Sequence, residues 1–188
     1  MRRLSLDLKV DPADTELLIF DVDGVMTDNT ILFGKDLEAK SFSVADGFAF
    51  KIARHAPIKF AVISARYSDA TMVRCTEMGI EDIHQYPDKL KALSALQSKY
   101  NLRLDQIGHV GNDLPDLLLF EQVGLSICTA DCERELLPFC HYQTELPGGK
   151  GCCREAIEFI LRAKGIDLLQ LYRDVMADAR ARERSDSD

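Results

Sequence analysis

Two aspartates one residue apart, Asp21 and Asp23 in Asp21-Val22-Asp23-Gly24, follow the apolar run Leu17-Leu18-Ile19-Phe20. In extended chain, residues i and i+2 point the same way, so the two carboxylates flank one point in space. Like charges that close are costly without a cation between them, and oxygen-only ligands at a strand end suit Mg²⁺. Gly24 permits the sharp turn such an end needs. The alternative is a surface turn with two solvated aspartates; the apolar run before the pair and the glycine after it weigh against that.

Other polar residues share this placement. Ser64 closes Phe60-Ala61-Val62-Ile63, and Gly111-Asn112-Asp113 follows Ile107-Gly108-His109-Val110. Lys89, after Asp88, opens a stretch with Leu90, Leu93 and Leu96 at helical spacing; it reads as a solvated helix-start lysine or as a cation turned into a site. Arg66 is either plain surface or a partner for a substrate carboxylate or hydroxyl. Asp46-Gly47 reads as a helix cap. Gly148-Gly149-Lys150-Gly151 is a glycine-rich turn, or an anion site built from its amides and Lys150 ahead of a helix. His55, His84, His109 and His141 are scattered and receive no catalytic role. The six cysteines form no Cys-x-x-Cys pair and are read as reduced thiols, with Cys152-Cys153 half-buried at a helix start.

These residues need a scaffold that gathers strand ends. Short runs apolar on both faces, at 17–20, 60–63, 83–86, 107–110 and 124–128, suit buried parallel strands. Helical stretches lie between them, at 46–55, 68–78, 89–100, 114–123 and 151–165. This alternation predicts a doubly wound α/β sheet, whose ligands bind beyond the carboxyl ends of the strands. Ile31, Phe33, Phe42 and Val44, around Gly34-Lys35-Asp36, predict a β-hairpin inserted at about 29–44. The chain reads as one domain over residues 1–172, followed by a charged tail over 173–188 that is either frayed or ordered by another chain.

The segment from Phe20 to Asp28, with Asp21-Val22-Asp23-Gly24 at its heart, resembles the first motif of the haloacid dehalogenase superfamily of phosphohydrolases. Ser64, Lys89 and Gly111-Asn112-Asp113-Leu114-Pro115-Asp116 resemble its second, third and fourth motifs, in the right order. Val44-Ala45-Asp46-Gly47, Ile63-Ser64-Ala65-Arg66, Asp88-Lys89-Leu90 and Gly148-Gly149-Lys150-Gly151 are similar to the cap-less branch that contains the 3-deoxy-manno-octulosonate 8-phosphate phosphatases. The resemblance runs over residues 17–165. It implies a Rossmann-like core with the hairpin in place of a cap domain, Mg²⁺ as cofactor, and a homotetramer in which neighbours help complete each site. It also implies cytoplasmic work on a phosphorylated acidic sugar, within lipopolysaccharide biosynthesis.

The roles it implies are specific. Asp21 would be the nucleophile, giving an aspartyl-phosphate; Asp23 would protonate the leaving oxygen and then activate water. Ser64 would hold a phosphoryl oxygen and Lys89 would neutralise charge. Mg²⁺ would be held by the Asp21 carboxylate, the Asp23 carbonyl and a fourth-motif side chain. There the chain departs from the pattern: Asn112 stands where relatives carry the first aspartate of Gly-Asp-Asp, so Asn112 or Asp113 is the third ligand and weaker Mg²⁺ binding is expected. Asp116 would orient Lys89. Asp46, Gly47, Arg66 and Lys150 are the expected substrate contacts.

Composition narrows the alternatives. A chain of 188 residues with 46% apolar and 29% charged residues is not disordered. A net charge of −8 argues against broad nucleic-acid binding. No apolar run approaches a membrane span, and the first residues turn acidic too early for a signal peptide, so a cytosolic protein is expected. The enzyme alternative is a nonulosonate (sialic-acid-type) 9-phosphate phosphatase, and a second class is a non-catalytic oligomerisation domain of the same fold. A phosphoacceptor receiver also uses a strand-end Asp, a Ser/Thr and a Lys, but its acceptor lies on a later strand.

Overall fold

The computed structural model describes residues 1–4, 11–35 and 37–185; Asp36 and the side chains of Arg182 and Arg184 lie outside the described residues. In chain order the elements are β1 (Arg2–Arg3), β2 (Leu17–Phe20), β3 (Thr27–Gly34), β4 (Leu37–Phe42), α1 (Val44–Ala53), β5 (Lys59–Ser64), α2 (Asp69–Met78), β6 (Asp82–Gln85), α3 (Lys89–Tyr100), β7 (Ile107–Gly111), α4 (Leu117–Phe120), β8 (Leu125–Cys128), β9 (Tyr142–Gln143), α5 (Cys152–Ala163) and α6 (Leu168–Ser185). The main sheet runs β1-β9-β8-β7-β2-β5-β6, parallel except for β1.

Alternation along β2 explains why helices cover both faces. Leu18 and Phe20, with Val62 and Val110, face the cluster that includes Phe50 of α1, Met78 of α2 and Ile157 of α5. Leu17 and Ile19, with Ala61, Ile63 and Ile107, face Leu93 and Leu96 of α3. All four side chains of β2 are sealed from water, as a strand covered on both sides requires. Phe50 stands edge-on to Phe20 and Phe60, at 4.9 and 5.3 Å between ring centres. Truncating it to alanine would cost about 3–5 kcal/mol.

Short polar residues start α1, α2 and α3. Ser43, Ser68 and Asp88 accept from the amides of Asp46, Thr71 and Lys91, and Gly79 ends α2 in the left-handed region. The hairpin forms at 27–42 as a separate two-stranded sheet, with Ile31 opposite Lys40 and Phe33 opposite Glu38.

Two expectations are corrected and two further features emerge. The helix expected over 114–123 is a single turn at Leu114–Asp116 followed by the four residues of α4, because Asp116 bends the chain back onto the amides of Asn112 and Asp113. α6 runs from Leu168 to Ser185 across the 172/173 division, with Leu168 buried and Leu171 and Tyr172 packed on the core. Cys152 and Cys153 are fully buried, their Sγ atoms reaching the Val25 carbonyl at 3.1 and 3.7 Å. Finally β9, two residues long, is too short to leave a periodic signal, yet it extends the parallel sheet. All six cysteines are free. Among the described residues no helix is long and apolar enough to cross a membrane.

Candidate active site

The carboxyl ends of β2, β5 and β7 bring the expected residues together. Asp21 leaves β2 in extended conformation, its amide on the Val110 carbonyl at 3.0 Å, and its side chain is almost wholly buried. Lys89, first residue of α3 and itself buried, sets its ammonium 3.0 Å from Asp21 Oδ1 and 2.6 Å from Asp116 Oδ1. Asp116 also accepts from the Asn112 amide at 2.9 Å and faces His109 Nε2 at 2.9 Å. A buried line therefore runs Asp21–Lys89–Asp116–His109.

Burial and this wiring set the charges. Burial first, and then repulsion from Asp116, push the Asp21 carboxyl up to about 7, with Lys89 pulling the other way. Burial would also raise Asp116, but the His109 hydrogen bond and charge, and then Lys89, hold it well below the ordinary carboxylate range. Burial works against the Lys89 ammonium, yet the two carboxylates outweigh it and raise its pKa. Burial lowers His109. The result is an ionised Asp116 clamping a charged Lys89 beside a carboxylate poised near neutrality, the kind of perturbed cluster that marks reactive sites.

Asp23 turns to a different cation. Lys40, from β4 of the hairpin, places its ammonium 2.7 Å from Asp23 Oδ1 and 3.0 Å from Oδ2. Each carboxylate of the Asp21-Val22-Asp23 pair thus has a lysine of its own, which relieves their mutual repulsion. Gly24 is required directly after the pair: its φ is +85°, and a Cβ there would lie 2.0 Å from Asn112 Nδ2.

The two candidates for a third cation ligand separate cleanly. Asn112 is buried against Gly24, and its Oδ1 is sealed from solvent with no protein partner. Asp113 is exposed and its carboxylate accepts from the Leu114 amide at 2.6 Å. A buried amide oxygen left without a donor, beside the Asp21–Gly24 turn, fits a hard cation. Among the described residues no three His, Cys, Asp or Glu side chains form a ligand set, so a cation at this turn would meet carboxylate, carbonyl and amide oxygens together.

Ser64 ends β5, buried, its hydroxyl donating to the Arg66 carbonyl at 3.2 Å. Arg66 is gripped by Glu38 of β4, at 2.8 and 3.3 Å, and its guanidinium lies 5.0 Å from the centre of the Phe33 ring. Lys150 is largely exposed and stands 3.7 Å from Asp28.

The remaining expected contacts serve one another. Asp46 is not the cap of its own helix, which is Ser43; its carboxylate accepts from the Arg154 amide at 2.8 Å and from the Gly151 amide, at the start of α5. The helix start read as an anion site is therefore filled by Asp46. The Gly148, Gly149 and Lys150 amides go to Asp131, Val25 and Pro147. Gly47 lies under Arg74, where a Cβ would meet Nη2 at 2.1 Å.

Three residues here escaped the sequence reading. Lys40 and Glu38 alternate on one strand face, a period-2 signal that does not name their partners. His109 had one usable signal: a polar residue in a strand buried on both faces must find a partner.

Comparison with known proteins defines the class. A model of haloacid dehalogenase-like hydrolases matches residues 27–151. The 3-deoxy-D-manno-octulosonate 8-phosphate phosphatase of Escherichia coli (strain B / BL21-DE3) is 36% identical over 164 residues, 86% of this chain and 87% of that protein. The Salmonella typhi phosphatase of the same name is 38% identical over 151 residues, 79% of this chain and 80% of that protein. The crystal structure of the Yersinia pestis phosphatase of that name superposes with a TM-score of 0.80 at 37% identity, covering 82% and 85% of the two chains. That from Moraxella catarrhalis, in complex with magnesium, phosphate and KDO, gives 0.79 at 32% identity, covering 82% and 90%.

The chain belongs to the haloacid dehalogenase-like hydrolases. Within them it is a phosphatase, similar along most of its length to enzymes of the 3-deoxy-octulosonate 8-phosphate type.

Proposed function

We propose that the chain is a Mg²⁺-dependent phosphomonoesterase that acts through an aspartyl-phosphate on 3-deoxy-D-manno-octulosonate 8-phosphate. The observation that carries this reading is the buried Asp21–Lys89–Asp116 line at the carboxyl end of β2. The named relatives support the substrate, and so does Arg66, a guanidinium suited to a sugar carboxylate.

The residues divide the work. Lys89 fixes the Asp21 carboxylate and faces the incoming phosphoryl charge. An Asp21 oxygen attacks phosphorus, the bond from phosphorus to the sugar oxygen breaks, and that oxygen takes a proton from the Asp23 carboxyl. The Asp23 carboxylate then accepts a proton from water, whose oxygen attacks phosphorus and releases phosphate and free Asp21. Ser64 would turn its hydroxyl from the Arg66 carbonyl to a phosphoryl oxygen. Asp116, charged and fixed, keeps Lys89 in place through both steps. Mg²⁺ would be held by the Asp21 carboxylate, the Asp23 carbonyl and Asn112 Oδ1, where it supplies charge neutralisation for the phosphoryl group. Lys150 remains a side-chain contact for the substrate; Asp46 and Gly47 act at one remove, by seating α5.

A phosphate-release screen over sugar phosphates with Mg²⁺, run beside Asp21→Asn, tests this. The expected result is release from the octulosonate 8-phosphate, lowered on the order of 10⁴-fold or more in the variant. Preference for a nonulosonate 9-phosphate would correct the substrate. Equal release by Asp21→Asn would remove the nucleophile, and no release from any substrate would favour the oligomerisation domain.

A further inference from the structure

We infer that Lys40 is a positioning residue for Asp23, so that the hairpin holds the general acid in place as well as covering the site. The inference rests on the phosphatase reading above and deepens it. Lysine is almost never buried without a partner, yet the Lys40 side chain has no exposure at all. Its ammonium reaches both Asp23 oxygens, at 2.7 and 3.0 Å, and Thr71 Oγ1 of α2 at 3.4 Å. An ammonium shut away from water keeps its place only if those contacts hold, so the pair is a rigid joint between β4 and the turn after β2.

The backbone of the turn is pinned by Thr27, whose hydroxyl meets the Val22 carbonyl and the Gly24 amide, but that does not fix the direction of the Asp23 carboxyl. Asp23 lies in a wide five-residue turn, Val22–Met26, with non-helical dihedrals at Asp23 and Gly24. Its side chain is 23% exposed, open to the site on one side and held by Lys40 on the other. Lys40 reaches the sugar only through Asp23: it fixes the direction from which the carboxyl gives its proton to the departing oxygen.

That role has a signature which mere stabilisation lacks. A sugar alkoxide is a poor leaving group and needs its proton during bond breaking; p-nitrophenolate leaves with little help. With enzyme in excess, release of the leaving group reads the first chemical step alone. Lys40→Met should slow that step on the order of 10²-fold for 3-deoxy-octulosonate 8-phosphate, the scale of an ångström of misplacement, and less than about fivefold for p-nitrophenyl phosphate. Lys40→Arg, which keeps a charged donor, should recover most of the loss. Should Lys40→Met fail to fold by circular dichroism, Thr71→Val removes the second Lys40 acceptor and should show the same substrate-selective loss at smaller size. Equal slowing of both substrates, or of neither, overturns the inference and leaves the phosphatase reading intact. An inactive wild-type protein overturns both.

Discussion

Asp21 illustrates how a residue useful for chemistry strains a fold. Its carboxyl is raised from the ordinary value of 3.8 to about 7, chiefly by burial. The folded chain therefore holds a proton there that the unfolded chain has lost, and stability falls as pH climbs from 3.8 to about 7. Above that window the buried charge weighs fully; below it the penalty is gone. Asp21→Asn should thus stabilise the chain at pH 8 in a chelator, by up to about 4 kcal/mol, and the gain should vanish at pH 4. A gain that persists at pH 4 would mean the asparagine stabilises by packing instead. Asn112 gives the complementary case. As the proposed ligand its Oδ1 brings no charge, so Asn112→Asp should lower the Mg²⁺ concentration for half-maximal activity. No change, combined with collapse on Asp113→Asn, would move the ligand role to Asp113.

The hairpin is the element whose meaning changed most between sequence and structure. Its two strands follow from alternating apolar residues, but its inner face is polar: Glu38 and Lys40 engage Arg66 and Asp23. Glu38 occupies both terminal nitrogens of the guanidinium expected to receive a substrate carboxylate. The pair is partly exposed and therefore weak, so freeing Arg66 by Glu38→Gln should lower KM for an acidic sugar phosphate about two- to fivefold. KM for p-nitrophenyl phosphate, which has no carboxylate, should not move; a rise for both substrates would show Glu38 to be a support for Arg66. Five strands of the central sheet and the positions of Asp21, Lys89 and Asp116 were legible because local pattern and motif order carry them. Lys40 with Asp23, Glu38 with Arg66 and Asp46 with the start of α5 were not, since each is a pairing between segments distant in sequence. Asp46 shows the limit well: it reads as the cap of one helix and caps another.

At the scale of the molecule, the hairpin leaves Leu32, Phe33 and Leu37 at 65, 72 and 62% exposure. Three large apolar side chains at one hairpin tip suit burial against other copies, and we propose a homotetramer built on them. Light scattering should report about four chains, with Leu32→Asp and Phe33→Asp both reducing that number. Phe33→Asp should also lower activity, because Arg66 lies over its ring. A fully active monomer would refute the arrangement.

The place of β2 in the sheet has a consequence for the order in which this protein acquires its function. β2 pairs with β5 on one side and β7 on the other, so Leu17 lies beside both Lys59 and Ile107. Pairings between such distant residues form slowly, since long loops must close before any contact rewards them. Asp21 lies ahead of Lys89 and Asp116 in the chain, and Asp116 joins the Asp21–Lys89 pair only once β7 has docked. A half-refolded chain holds the proposed nucleophile without its full set of partners, and on that reading catalysis begins only when the β2–β7 pairing has closed.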